Sequence, residues 1–254
     1  MKRMEWFANT FLEEARCYRV LDVGSYDVNG TYKELFQGER FNYSGLDMEE
    51  GPNVDIVPAS TYKWDEIEDD TYDVVISGQA LEHVEFFWLT VAEMVRVTKK
   101  DGLICIIAPN GFGEHRYPVD CWRFFTDGMI ALARYNKLEI IHAHTNRGPA
   151  ADEHDWFSEE FADSMLVAKK RYCGKAQQIE PHTYKCIPAS HEEITMGLIS
   201  YDEYKSENKQ KKIKTEEVKE PQTRTSDDNH KETRLRKLIK KAKIAIRTHL
   251  KQKK

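Results

Sequence analysis

The sequence predicts an α/β fold built on a doubly wound sheet of about seven strands. Two observations lead to this prediction: short apolar runs recur along the first 170 residues, and helical patterns separate several of them. The runs do not alternate apolar with polar residues, which is typical of parallel strands that are buried on both faces. The chain has 254 residues, 40% of them hydrophobic, so it can bury one sizeable core.

Each predicted strand is a short run of apolar and β-branched residues, and several of these runs end in glycine or aspartate. In a doubly wound sheet, ligands bind in the crevice at the carboxyl ends of the strands, so the loops that follow the runs are the candidate site. The predicted strands cover residues 19–24, 41–47, 53–57, 72–77, 102–109, 138–145 and 164–170.

Two segments of the same region predict helices. Residues 86–100 place Leu89, Ala92 and Val95 near helical spacing and end in lysines, which suit the negative end of a helix dipole. Residues 127–139 are interpreted as a second helix. Strands and helices therefore alternate, as a parallel sheet with crossover helices requires.

The charge is unevenly distributed along the chain. Residues 205–254 hold 18 basic and 7 acidic side chains, a net charge of +11, whereas residues 1–204 carry a net charge of −16. We therefore expect one domain over residues 1–204, a disordered linker over 205–232 and a basic amphipathic helix over 233–254. An acidic body disfavours nucleic acid as a partner, because nucleic-acid binding depends on basic groups that neutralise phosphates.

The C-terminal helix has an apolar face within Thr233–Leu250, surrounded by lysine and arginine. Such a helix contacts a membrane surface, docks on a protein, or is simply solvated. No apolar run reaches about 18 residues and the N-terminal segment contains acids, so neither a transmembrane helix nor a signal peptide is predicted. We therefore expect a cytoplasmic protein, whose one route to membrane contact is peripheral binding of this helix to the inner membrane face. Five scattered cysteines predict reduced thiols.

The stretch "VLDVGSYDVNG", residues 20–30, places a glycine loop after the first strand. Such a loop lets backbone approach a ligand closely, but Tyr26 stands where a dinucleotide fingerprint has its second glycine. With Asp22 beside it, the loop suits a ligand that carries an ammonium and a carboxylate better than a pyrophosphate. Asp47 ends the next strand, where it can accept hydrogen bonds from ribose hydroxyls, and Met48 is placed to pack on adenine.

Two further segments carry a family resemblance: "YDVVISGQALEHVEFFW", residues 72–88, and "MVRVTKKDGLICIIAPN", residues 94–110. With the loop after the first strand, they resemble class I S-adenosylmethionine-dependent methyltransferases, in particular a group found with bacterial glycan-biosynthesis enzymes. The resemblance covers roughly residues 20–145. It implies a Rossmann-like sheet, mostly parallel with one antiparallel strand near the edge, and S-adenosylmethionine as cofactor.

The same resemblance implies roles for individual residues. The methionine end of the cofactor would contact the loop after the first strand, and the ribose and adenine would contact the end of the second strand. The segment that begins at residue 77 would lie near the sulfonium. Ser60, in "PAST", stands in the loop that often supplies an acid to the adenine amino group. The implied cofactor residues are Asp22, Gly24, Ser25, Gly30, Asp47, Met48, Ser60, Ser77, Gly78 and Gln79.

The segment "NGFGEHRYPVDCWRFFTDG", residues 110–128, resembles the "HxPxDxWRF" segment of bacterial members of this group. Its aromatic side chains, Trp122 among them, offer faces for a sugar ring, and Arg116 and Arg123 suit an anionic group. The alternative is a folded lid whose arginines pair with acids and whose aromatics are core. Methyl transfer also needs a base near neutral pH, for which the candidates in order of preference are His115, Asp120 and His83.

His142 and His144 alternate on a predicted strand without a nearby third ligand, so they are interpreted as satisfied surface histidines and no metal is expected. The predicted function is methyl transfer to an oxygen or nitrogen of a small molecule, with a sugar or glycan precursor as the favoured substrate. The alternative is a non-catalytic Rossmann-like binding module tethered by its basic tail. A nucleic-acid or protein methyltransferase is disfavoured, because "SGQA" stands where an "NPPY"-like tetrapeptide would follow the fourth strand.

Overall fold

One mixed sheet organises the part of the chain that the computed structural model describes, residues 1–28, 30–111, 113–146 and 162–180. Within these residues the sheet has six strands in the order β2-β1-β3-β4-β6-β5. The strands are β1 (Tyr18–Val23), β2 (Phe41–Leu46), β3 (Tyr72–Gly78), β4 (Thr98–Pro109), β5 (Glu139–Thr145) and β6 (Asp163–Lys169). The helices are α1 (Lys2–Phe11), α2 (Phe87–Val97) and α3 (Thr126–Tyr135), and single 3₁₀ turns cover Tyr32–Phe36 and Leu81–His83.

The first four strands of this sheet run parallel to one another, and β6 runs antiparallel to both of its neighbours, β4 and β5. The fold is therefore α/β and Rossmann-like, with a mixed sheet whose one antiparallel strand lies next to the edge. Since β6 inserts between β4 and β5, its first residue reaches the carboxyl end of β4, where Asp163 pairs with Pro109.

The predicted strand at residues 53–57 is not a member of this sheet. It contributes only an isolated bridge between Ile56 and Leu46. Asn53 has a φ of 66°, which breaks the extended backbone, and a single carbonyl, that of Gly45, accepts from the amides of both Asp55 and Ile56. The segment therefore crosses the end of β2 and does not extend beside it.

The strands lack apolar alternation because both faces of the sheet are covered. One face packs its side chains, including those of Leu21 and Ile104, against α2 and α3. The other face packs Val20 and Ile76 against α1, whose Phe7 is fully buried. Adjacent residues of one strand thus serve opposite halves of the core, which requires both to be apolar.

Helix boundaries differ from those expected from the sequence pattern. The first predicted helix ends at Val97, and the lysines that follow belong to β4. Thr98 makes this change of direction: its hydroxyl donates to the carbonyl of Met94 at 2.6 Å while its backbone pairs with Tyr72. The second predicted helix ends at Tyr135, and helix α1 was not predicted.

Several predictions lie outside the described residues: the boundary at residue 204, the linker over 205–232, and the basic helix with its proposed membrane or protein contact through Thr233–Leu250. Within the described part, no helix is both long enough and apolar enough to cross a membrane. The four cysteines described there, Cys17, Cys105, Cys121 and Cys173, are free thiols.

Candidate active site

The loops after β1, β2, β3 and β4 meet at one edge of the sheet, and Gly24 lies where two of them touch. Its φ is +81°, and a Cβ built on it would lie 2.3 Å from the Cβ of Ala80 in the loop after β3. The amide of Gly24 donates to the carbonyl of Leu46 at 2.9 Å. Glycine is therefore required here by both conformation and space, and it brings backbone to the surface of the crevice.

Asp22 is a buried carboxyl group beneath this loop, only 2% exposed. Its Oδ2 accepts a 2.6 Å hydrogen bond from the hydroxyl of Tyr43, and its Oδ1 is buried without a partner among the described residues. Burial raises the pKa of Asp22 to about 7; the hydrogen bond from Tyr43 opposes this shift and the charge of Asp47 adds to it. An unsatisfied acceptor in this position suits a cationic ligand group.

Tyr43 and Asn53 support this carboxyl group and were not expected from the sequence. The side-chain amide of Asn53 donates to the hydroxyl of Tyr43 at 2.9 Å and to the carbonyl of Ser25 at 3.0 Å, and the hydroxyl of Ser25 donates to the carbonyl of Asn53. These bonds tie the loop after β1 to the end of β2. No sequence motif marks either residue.

Asp47 projects from the end of β2 beside the same loop. Its Oδ2 accepts from the amide of Tyr26 at 3.0 Å and its Oδ1 from the amide of Met48 at 2.7 Å, so the carboxylate is oriented by backbone. The side chain of Met48 is exposed and available for a flat ligand. Gly30 is exposed and donates to Asp27, whereas Ser60 accepts from the amide of Tyr62 in a local turn.

The segment after β3 uses its side chains inside the protein. The hydroxyl of Ser77 is buried and donates to the carbonyl of Val23 at 2.9 Å, and Gly78 is covered by Tyr32, whose hydroxyl would lie 2.3 Å from an added Cβ. Gln79 has a φ of 57° and donates from Nε2 to Asp163 at 2.9 Å. What this segment can present to a ligand is therefore mainly backbone.

Asp163 joins Gln79 to a buried ion pair that sequence patterns did not indicate. Arg3, on α1, donates to Asp163 at 2.7 Å, and the two side chains are 10% and 9% exposed. Burial raises the pKa of Asp163, and the charge of Arg3 opposes this shift. The pair fastens α1 to the site edge of the sheet. Because 160 residues separate its members, no local pattern could have found it.

Four hydrogen bonds among the described residues fasten the segment 110–125 to the loop after β3. The imidazole Nδ1 of His83 donates to the carbonyl of Val119 at 2.6 Å, and the amide of Cys121 donates to the carbonyl of Glu82 at 2.7 Å. The indole of Trp122 donates to the carbonyls of Val84 and Glu85, both at 3.1 Å. Each of the two loops therefore fixes the position of the other.

This fastening brings His83 and His115 together, with ring centroids 4.9 Å apart. Glu82 lies beside them, 1% exposed, with Oε1 at 3.8 Å from Nε2 of His83. Burial raises the pKa of Glu82 to about 7; the charge of Asp163 adds to this shift and that of Arg123 opposes it. Two predicted base candidates thus share one cluster with a carboxyl group that was not among the predicted site residues.

Asp120 and Arg123 form a clasp within the loop. Asp120 accepts from both terminal nitrogens of Arg123, at 2.5 and 2.8 Å, and from the amide of His115 at 2.7 Å. The bonds from Arg123 hold the pKa of Asp120 below its ordinary value. These contacts disfavour Asp120 as a base and Arg123 as a substrate anion site, and favour a role in positioning His115. Arg116 is exposed and pairs with Glu114 at 2.8 Å.

His142 and His144 are buried on β5, not exposed at the surface as expected. Trp6, on α1, packs against the ring of His142 with centroids 4.9 Å apart and so covers this histidine. The two histidines stand on one face of the strand, with ring centroids 6.1 Å apart.

Residues 30–106 match a family model described as a methyltransferase domain. The comparison with curated proteins gives no match. Among solved structures, the chain is similar to the cyclase SpnF, with 14% identity, coverage of 66% of this chain and 80% of that chain, and a TM-score of 0.50. It is also similar to the 1,6-didemethyltoxoflavin-N1-methyltransferase of Burkholderia thailandensis, solved with bound 1,6-didemethyltoxoflavin and S-adenosylhomocysteine, with 16% identity, coverage of 66% and 76%, and a TM-score of 0.50. At these identities the likeness shows the fold.

Proposed function

We propose that this chain, an S-adenosylmethionine-dependent methyltransferase whose residues 30–106 match a methyltransferase-domain model, methylates an oxygen or nitrogen of a small molecule. The acceptor that we favour is a sugar or a glycan precursor. The observation that carries the proposal is the joining of two loops at one edge of the sheet. The loop after β3 lies against the glycine loop after β1, at Ala80 and Gly24. It is hydrogen-bonded to the segment 110–125, which contributes a histidine and exposed aromatic side chains.

The residues around β1 and β2 fit the cofactor. S-adenosylmethionine supplies a methyl group on a positively charged sulfur. The unsatisfied Oδ1 of Asp22 suits the cationic methionine end, and the backbone at Gly24 allows close approach. Asp47, oriented by two amides, suits the ribose hydroxyls, and Met48 suits the adenine face. Since Ser60 is occupied in its own turn, we assign adenine recognition to Met48 and backbone.

The acceptor half of the site is proposed on segment 110–125. Tyr117 and Phe125 are 62% and 58% exposed, and Trp122 is partly exposed, so their faces are available to stack on a sugar ring. Arg116 is the more exposed of the two arginines in this segment, so it is the more accessible to a phosphate or carboxylate on the substrate. We assign the removal of the acceptor's proton to the cluster of Glu82, His83 and His115, which the two joined loops bring together.

The cofactor half is tested by calorimetric titration with S-adenosylhomocysteine. We expect micromolar binding to the full chain, and in Asp47→Ala a dissociation constant raised at least about 100-fold, because hydrogen bonds to a charged group are worth about 1.5–3 kcal/mol each. Glu139→Ala is the matched control: this exposed carboxylate starts β5, at the opposite edge of the sheet, and pairs with Arg171. It should bind like the unmodified protein.

Absence of binding to the unmodified protein would refute the proposed cofactor site. With binding established, radiolabelled methyl transfer to nucleotide sugars, glycan intermediates and unrelated hydroxyl or amine compounds tests the acceptor. Transfer confined to acceptors without a sugar would reject the glycan assignment and leave the methyltransferase intact.

Asp22 predicts a pH dependence of cofactor binding. Its folded pKa of about 7 lies above the ordinary value of 3.8, so the carboxyl is neutral below about pH 7 and must lose its proton to attract a cation. Affinity for S-adenosylhomocysteine should therefore rise as pH increases through 7. Tyr43→Phe removes a donor to the carboxylate and should move that rise to higher pH.

The same shift has a consequence for stability without ligand. The folded state binds the proton of Asp22 more tightly than the unfolded state does. The contribution of Asp22 to the free energy of unfolding therefore falls as pH rises from 3.8 towards 7. Asp22→Asn should remove that fall. Titrations and urea unfolding over a pH series measure both effects, and an unchanged affinity on both sides of pH 7 would contradict the assignment of Asp22.

A further inference from the structure

The cluster of Glu82, His83 and His115 has the composition of a metal site. One possible ligand atom from each of the three lies within 4.8 Å of the other two. Ligand atoms around an ion with bonds of about 2 Å lie about 3–4 Å apart, so small side-chain rotations would close the set. The cluster lies at the carboxyl edge of the sheet, between the two loops that are fastened together.

Both imidazoles are held in the form that a metal ligand needs. A carbonyl oxygen can only accept, so Nδ1 of His83 donates to Val119 at 2.6 Å and Nδ1 of His115 donates to Gly113 at 3.2 Å. In that tautomer the ring lone pair is on Nε2. Asp120 Oδ2 also lies 3.5 Å from Nδ1 of His115, so a carboxylate backs this ring as well. Donation from one ring nitrogen to a carbonyl or carboxylate is the usual support of a metal-ligating histidine.

Glu82 supplies the independent observation. Its side chain is 1% exposed, and Oε2 is buried without a hydrogen-bond partner among the described residues. A buried, unpaired carboxylate oxygen is costly unless something cationic satisfies it. Arg123, the basic side chain of the partner loop whose charge acts on Glu82, donates from both terminal nitrogens to Asp120.

We propose that Glu82, His83 and His115 bind a divalent transition-metal ion that holds the acceptor hydroxyl for methyl transfer. Two imidazoles and one carboxylate are a donor set for such ions, and three protein ligands leave positions open for substrate. The cluster is open on one side only: the side chain of His115 is 38% exposed, that of His83 is 16% exposed and Glu82 is covered. A substrate oxygen would therefore arrive from the side of the segment 110–125.

This catalytic role rests on the proposed function, whereas metal binding itself does not. Coordination polarises the acceptor hydroxyl, whose proton passes to water. The acceptor oxygen then forms its bond to the methyl carbon as the carbon–sulfur bond breaks, and that electron pair stays on sulfur. With a metal bound, the two histidines hold the ion and do not act as bases.

The test is titration of the full chain with Co²⁺, followed by visible absorption and calorimetry without cofactor. We expect one Co²⁺ per chain at this site, with an absorption typical of a low-coordinate nitrogen and oxygen environment. Glu82→Gln and His115→Asn should each weaken binding by at least about 100-fold, since losing only an outer partner of a metal ligand costs about 10–100-fold. Glu139→Gln should bind like the unmodified protein.

S-adenosylhomocysteine affinity in every variant reports whether the fold is kept, and His115 tolerates substitution because its side chain is partly exposed. His142 and His144 remain in all variants, so Co²⁺ binding that is insensitive to both substitutions would overturn the proposal. So would the absence of Co²⁺ binding in a protein that binds S-adenosylhomocysteine. Co²⁺ binding without S-adenosylhomocysteine binding would support the metal site and reject the proposed cofactor function.

Discussion

Replacing Arg3 with methionine is expected to lower the free energy of unfolding by about 3–5 kcal/mol, the range found when one partner of a buried ion pair is removed. Arg3 and Asp163 are both about nine-tenths buried, and no other ion pair to Asp163 is present among the described residues. Methionine keeps most of the packing of the side chain but removes the ion-pair partner of Asp163, which then keeps only the hydrogen bond from Gln79 and the more distant charge of the amino group of Met1. Urea unfolding followed by tryptophan fluorescence measures the loss.

Arg16→Met is the matched control, because Arg16 pairs with Asp73 across a distance of 3.3 Å with a half-exposed side chain. Exposed pairs contribute about 0–1 kcal/mol, so this variant should change little. Adding Asp163→Asn to Arg3→Met should recover part of the loss, since no buried charge is then left. If the two single variants were equally mild, the buried pair would not fasten α1 as described.

Gly24→Ala is expected to abolish measurable cofactor binding and to cost about 2–4 kcal/mol of stability, from the left-handed backbone and from overpacking. The new methyl group would meet the Cβ of Ala80 at 2.3 Å, so the loops after β1 and β3 would have to separate. That movement displaces the backbone that is proposed to contact the methionine end.

Gly128→Ala is a control of opposite sign. An added Cβ there meets nothing within 4 Å, and the residue lies in the first turn of α3, where alanine is favoured over glycine by up to about 1 kcal/mol. The double variant Gly24→Ala with Ala80→Gly should relieve the contact but not the backbone strain, and so recover stability only in part. Full recovery would show that the left-handed conformation at Gly24 matters little.

Sequence reasoning predicted the parts of the site that lie next to strand ends. Asp22, Gly24 and Asp47 follow or end buried strands, and parallel strands deliver such positions to one edge. The supports of these residues were missed, because Tyr43 and Asn53 act only through a fold that brings β2 against the first loop. Their contribution depends on contacts and not on any local pattern.

Residue type also predicted which side chains of the segment 110–125 could be functional, but not how each is used. A charged residue looks the same in sequence whether it faces a substrate or another side chain. Asp120 and Arg123 pair with each other, and the hydroxyl of Ser77 is spent on a strand carbonyl. Glu82 was seen only as part of a motif, and its burial beside two histidines became apparent from the fold.

The position of β6 has a consequence for the order in which a growing chain can acquire its site. β5 is synthesised before β6, yet within the described sheet it pairs only with β6. Until residue 169 has left the ribosome, β5 lacks the strand with which it pairs in the described sheet, and Arg3 lacks its ion-pair partner Asp163. Domains form from contacts that become available during synthesis. Arg3 can therefore form its described ion pair only after β6, the last strand of the described sheet, has been synthesised, so this edge of the sheet is completed late.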